Sequence, residues 1–195
     1  MRTFVLAGLL LTSCLANAAL VTFEELAEDT SFVPSVTSQG FVFSGSFTML
    51  VLSETDSEGN FVWSMSPPGS CCQTLEITRQ DGLAFDLESM DLYGFGGPTW
   101  GGEYTVEGFD EFDQLVANSA FLFSDWDQAT FDGAWNDISK VVITESTHYC
   151  GACMPTTSGI RLDNLMATAV PVPAAVWLFG SALAGLGWLR RKQTI

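Results

Sequence analysis

Cations are scarce in this chain. Seven Lys and Arg stand against 23 Asp and Glu over 195 residues, a formal charge of −16, which excludes nucleic-acid binding by phosphate neutralisation. Histidine occurs once, at His148. A Ser-His-Asp triad or a multi-histidine metal centre would have to be built on that residue alone, and neither GxSxG nor HExxH accompanies it. Helical periodicity is missing from every window longer than Thr22 to Glu28, which argues against a parallel α/β sheet. The chain is nevertheless 47% hydrophobic and 12% aromatic, too apolar for a disordered acidic tail. Its length fits one ordinary domain plus targeting segments.

What is present between residues 20 and 169 is a succession of short extended runs separated by turn residues. Gly40 to Leu52 reads as two short strands around Ser44-Gly45, and Phe61 to Met65 resumes the pattern after an acidic, Gly-containing turn. Further runs are Thr74 to Thr78, Phe85 to Leu92, Tyr104 to Phe109, Gln114 to Phe123, Lys140 to Thr144 and Ile160 to Ala167. About eight to ten strands in such a length predict an all-β body, an antiparallel two-sheet β-sandwich or jelly roll. All 23 acids lie in this body with only Arg79, Lys140 and Arg161 to offset them, a net −20. Its surface is therefore anionic, which favours solubility and repels anionic partners.

Both ends read as addresses. Met1-Arg2-Thr3, the apolar run Phe4 to Leu11, and Ala16-Asn17-Ala18 before Ala19 form a basic start, a short hydrophobic core and an A-x-A site. That is a signal peptide over 1–18, cut after about Ala18. A competing reading is a lipobox at Leu11-Thr12-Ser13-Cys14, with Cys14 lipidated. At the other end, Ala174 to Leu189 is uncharged and ends in Arg190-Arg191-Lys192. Sixteen helical residues span about 24 Å, slightly short of a hydrocarbon core of about 30 Å, so the segment crosses with local thinning or by drawing in the preceding residues. Trp177 and Trp188 lie toward its ends, and the cations belong on the cytoplasmic side, leaving the acidic body outside.

The tail, Val170-Pro171-Val172-Pro173 followed by the hydrophobic helix and Arg190-Arg191-Lys192, resembles the PEP-CTERM sorting signal of Gram-negative bacteria, in its VPxPAAxWLFGSALxGL form. The resemblance covers residues 170–195, with Val172 where the usual motif has Glu. It implies export, signal peptidase and an exosortase-like membrane protease as partners, an inner-membrane intermediate, and delivery to the cell surface or extracellular matrix. A permanent tail anchor is the alternative. Two prolines keep residues 170–173 extended, a form that a protease at the membrane surface can grip. The phrases FDLESMDLYGF, YTVEGFDEFDQLV, ATFDGAWNDISKVVIT and GIRLDNLMATAVP also resemble the β-sandwich bodies attached to this signal. Sandwiches host many functions, so this second resemblance implies architecture only.

Four cysteines remain after the leader: Cys71-Cys72 and Cys150-Gly151-Ala152-Cys153. Four thiolates could hold zinc, but an exported chain favours two disulfides. Of the three connectivities, both bonds crossing between the groups would close loops of about 80 residues and stabilise by about 4 kcal/mol in the chain-entropy model. The βαβ context of a redox C-x-x-C is absent.

No catalytic residue and no cofactor is assigned. His148 beside Tyr149-Cys150 reads as structural, and glycoside hydrolysis needs two carboxylates of which none is singled out. Asp125, Asp127 and Asp132 are the calcium candidates, as are Glu54, Asp56 and Glu58, yet neither set follows the EF-hand pattern and a solvated acidic loop accounts for either. The expected role is structural or adhesive within exopolysaccharide or biofilm. The alternative is a carbohydrate-binding module, because sugar CH faces stack on aromatic rings while carboxylates and amides accept hydroxyl protons. Trp100 and Trp126, set among Gly, Asp and Ser, are its ligand candidates. Trp63, Trp126 and Trp135 are equally expected to fill the core.

Overall fold

Period-two alternation organises the chain, as in the segment KVVITE, where Val141, Ile143 and Glu145 point inward and their neighbours outward. The computed structural model describes residues 18–26, 30–53, 59–65, 73–93, 102–123, 125–145 and 159–170, all within the unit Asn17–Val170. They form eleven strands: β1 (Ala18–Val21), β2 (Thr30–Ser38), β3 (Phe41–Ser53), β4 (Asn60–Met65), β5 (Thr74–Arg79), β6 (Phe85–Tyr93), β7 (Gly102–Phe109), β8 (Leu115–Phe123), β9 (Trp126–Thr130), β10 (Lys140–Glu145) and β11 (Gly159–Ala169). A 3-10 turn, Gly133–Trp135, is capped by the Asp132 side chain.

Every pairing is antiparallel, in the order β8-β7-β10-β5-β3-β4-β11-β6-β9, with β1 added to β11 and β2 to β3. The all-β antiparallel expectation holds, as one continuous and nearly closed sheet. β3 explains the continuity. It pairs with β5 through Phe41–Gly45 and with β4 through Thr48–Ser53, so the two short runs expected around Ser44-Gly45 are one bent strand. Gly45 sits at the bend, where a Cβ would stand 2.5 Å from Ser64 Oγ and 2.8 Å from Met49 Sδ. The two halves of the sheet thereby face each other across one core. Phe41 of β3 packs edge-on against Phe85 of β6 at 5.2 Å, and the Tyr104 hydroxyl of β7 donates to the Tyr93 carbonyl of β6 at 2.7 Å.

Three strands were not legible in the sequence. β2 carries Pro34 and five Ser or Thr, a composition that suits an outer strand and masks its period. β1 and β9 are short. β1 begins at Ala18 and pairs with the end of β11, so removal of residues 1–18 would leave Ala19–Val21 in place. The hairpin between β2 and β3 turns on Gln39 and Gly40, both at positive φ, as a two-residue turn matched to sheet twist requires. No helix among the described residues is long and apolar enough to cross a membrane. The leader, the segment Ala174–Leu189, the four cysteines, His148, Trp100 and the Glu54, Asp56, Glu58 group lie outside the described residues.

Candidate functional site

β4, β11, β6 and β9 are consecutive neighbours, and their register places Trp63 opposite Arg161, Arg161 opposite Tyr93, and Tyr93 opposite Trp126. The intervening residues Val62, Leu162 and Leu92 point into the core, so by alternation this row lies on the outer face of the sheet. With strands about 4.8 Å apart it spans about 14 Å. All four side chains are half-buried.

The row is built on stacking. The Arg161 guanidinium lies 4.7 Å from the Trp63 ring centre, 4.8 Å from Tyr93 and 5.5 Å from Phe61, a cation held against three π faces. Trp126 packs against Phe61 at 5.6 Å and Tyr93 at 5.3 Å. Phe61 is completely buried yet outside the main core, forming the floor of the row. Gly159, at the start of β11, makes room for Trp63: a Cβ there would collide with the indole nitrogen and the Ser64 carbonyl oxygen. The indole N–H groups of Trp63 and Trp126 are buried and donate to no acceptor among the described residues.

Next along the same face stand two carboxylates, Asp91 of β6 and Asp163 of β11, which are register partners. Asn164 lies between them in a bulge, at positive φ. Its side-chain amide donates to Asp91 at 2.9 Å and to Asp163 at 3.4 Å, and its backbone N–H donates to Asp163 at 2.7 Å. Burial pushes the Asp163 carboxyl up to about 6, with Asp91 and Glu24 adding repulsion and the Asn164 N–H opposing both. A raised carboxyl beside a second one is the layout of acid catalysis in glycosidases. Here, however, Asp163 is buried and the Asn164 amide occupies the space between the pair, so the arrangement clamps the bulge of β11.

On the inner side, beneath the same end of the sheet, Gln73 is fully buried and Glu145 is 3% exposed. The Glu145 N–H donates to the Gln73 carbonyl at 3.0 Å, while Gln73 Nε2 and Glu145 Oε2 have no partner among the described residues. Desolvation raises the Glu145 carboxyl to about 7, and burial followed by Glu145 raises the Tyr104 phenol.

Of the residues expected from sequence, Trp126 belongs to the row and Trp63 joins it, whereas Trp135 is a core residue, 3% exposed and packed edge-on against Phe131 at 4.6 Å. Asp125 and Asp127 accept from the N–H groups of Trp126 and Gln128, and Asp132 from that of Ala134. Among the described residues no three acidic, His or Cys side chains are grouped to hold a metal ion. Arg161, Tyr93, Asp91 and Asn164 were not singled out in advance. Strand parity was the available signal: an inward Val62 sends Phe61 and Trp63 outward together.

No protein-family model and no curated protein matches the sequence. Among solved structures, the chain is similar to a DUF4465 family protein from Bacteroides caccae, with 14% identity and a TM-score of 0.56 over 79% of this chain and 100% of that one. It is also similar to an arabinose-bound α-L-arabinofuranosidase, with 12% identity and a TM-score of 0.46 over 76% of this chain and 26% of that one. A family 11 carbohydrate-binding module from Clostridium thermocellum, in complex with a mixed-linked tetrasaccharide, aligns at 7% identity and a TM-score of 0.37, over 75% of this chain and 99% of that one. The first likeness shows a shared β fold. None of the three transfers a ligand or an activity to this chain.

Proposed function

We propose that the body is a non-catalytic glycan-binding module carried by an exported protein. The observation that carries this reading is the row Trp63, Arg161, Tyr93, Trp126, which sets aromatic faces and a guanidinium side by side on an outer sheet face. Apolar sugar faces stack on such rings, and the adjoining carboxylates and amide accept and donate to hydroxyls. A face of this kind gives the structural or adhesive role its chemistry: it attaches the protein to extracellular polysaccharide.

The leader and the PEP-CTERM-like tail, Val170, Pro171, Val172, Pro173 with Arg190, Arg191 and Lys192, supply export and sorting through signal peptidase and an exosortase-like protease. The body's finer architecture is a two-sheet sandwich hinged at β3. Cys71 and Cys72 precede Gln73, while Cys150 and Cys153 follow Glu145. Disulfides crossing between the two groups belong to this reading of an exported chain.

The test is retardation of the mature protein in gels containing polysaccharide, against a Trp126→Ala variant shown by circular dichroism to be folded. Retardation of the parent, and its loss in the variant without release of reducing sugar, is the expected result. Equal retardation of both proteins would reject the row, and sugar release would replace binding with hydrolysis. Intact mass of the same preparation locates both cuts, and a chain with both ends uncut would remove the sorting reading.

A further inference from the structure

We infer that the ligand of this face is a neutral, hydroxyl-rich glycan and not an acidic one, a conclusion that rests on the glycan-binding reading above. Arg161 is the cation of the row, and its guanidinium is already stacked on Trp63, Tyr93 and Phe61. A uronic-acid or sulfated chain lying along about 14 Å of this face would bring a negative charge with each acidic sugar. It would meet that one guanidinium, flanked on the same face by Asp91 and Asp163. The rest of the body adds to the repulsion, because residues 20–169 carry 23 acids against three cations, and fields from such an excess reach about 8–10 Å at moderate salt.

A neutral glycan reverses each of these terms. Its hydroxyls donate to the Asp91 carboxylate and to the Gln128 amide oxygen, register partners on β6 and β9. The guanidinium N–H groups donate to its ring and hydroxyl oxygens, and its CH faces lie on Trp126 and Tyr93. Asp91 thus serves as an acceptor for the ligand in addition to holding Asn164.

The experiment measures the affinity of the mature protein for soluble neutral oligosaccharides, of gluco- and manno-type, and for oligogalacturonate and oligoalginate. Each is titrated at low salt and at several hundred millimolar salt, with the parent and with Asp91→Asn. Expected are binding of a neutral series that hardly changes with salt, affinity for the acidic series at least about tenfold weaker, and loss of about tenfold in neutral affinity on Asp91→Asn. Acidic ligands bound as tightly as neutral ones, weakened by salt and strengthened by Asp91→Asn, would overturn the inference while leaving a glycan-binding protein. Binding of neither series by a folded protein would overturn the underlying reading as well.

Discussion

Glu145 is the residue at which burial has its largest electrostatic consequence. Its carboxyl faces the end of the core, 3% exposed, and holds its proton to about pH 7, whereas an ordinary glutamate releases it near 4.5. Between those values the folded protein binds more protons than the unfolded chain, so stability falls as pH rises. The contribution is intact below about 4.5 and gone above about 7, and is on the order of 3 kcal/mol. Asp163, raised to about 6, acts in the same sense over a lower window. Repulsion among the surface acids also weakens the fold as pH rises, and Glu145→Gln separates the two. Melting temperatures from pH 4 to pH 8 should fall less steeply in the variant, with a higher melt than the parent at pH 8. Parallel curves would show that Glu145 is solvated in the fold. The sequence gives no hint of this behaviour, because Glu145 closes an otherwise regular alternation and which way it points depends on β10 lying between β5 and β7.

At the scale of elements, the strands with strong alternation and bounding turns were legible to within a residue or two: β4 through β8, β10 and β11 lie where their apolar periods place them. β2 and β9 were not, since a strand with Pro34 or with the sequence WDQAT carries little periodic signal. The bend of β3 was half legible. Ser44-Gly45 marked a break, but whether a break divides two strands or bends one depends on the partners on either side. The row proposed to bind glycan has the same character. Each of its residues belongs to a different strand, and only register brings them into line. Gly159 is where two elements meet most tightly, for the Trp63 indole lies where a Cβ would be. Gly159→Ala should displace that indole, at a cost of about 1–3 kcal/mol, seen as a lower melting temperature together with a shift in tryptophan fluorescence. An unchanged melt and spectrum would contradict the close approach of Gly159 to the Trp63 indole and the Ser64 carbonyl.

For the molecule as a whole, two kinds of information are separate in the chain. The export and sorting proposed for the ends rest on local composition, an apolar run beside cations, which needs no fold to be read. The body carries its message in juxtaposition. The last residues of β4, β6, β8 and β10 and the first residues of β5, β7, β9 and β11 lie at the same end of the sheet as the row Trp63, Arg161, Tyr93, Trp126, as the pairings require. A net −20 on the body repels anionic surfaces, so the glycan binding proposed above has to rest on uncharged contacts.

The most direct test of the glycan-binding face follows the tryptophan indole N–H resonances of the mature, isotope-labelled protein as a neutral oligosaccharide is added. Trp63 and Trp126 should move together, with saturation at one common affinity, while Trp135, buried in the core beside Phe131, stays fixed. Resonances of Trp63 and Trp126 that remain still under a saturating ligand, or a shift confined to Trp135, would contradict it.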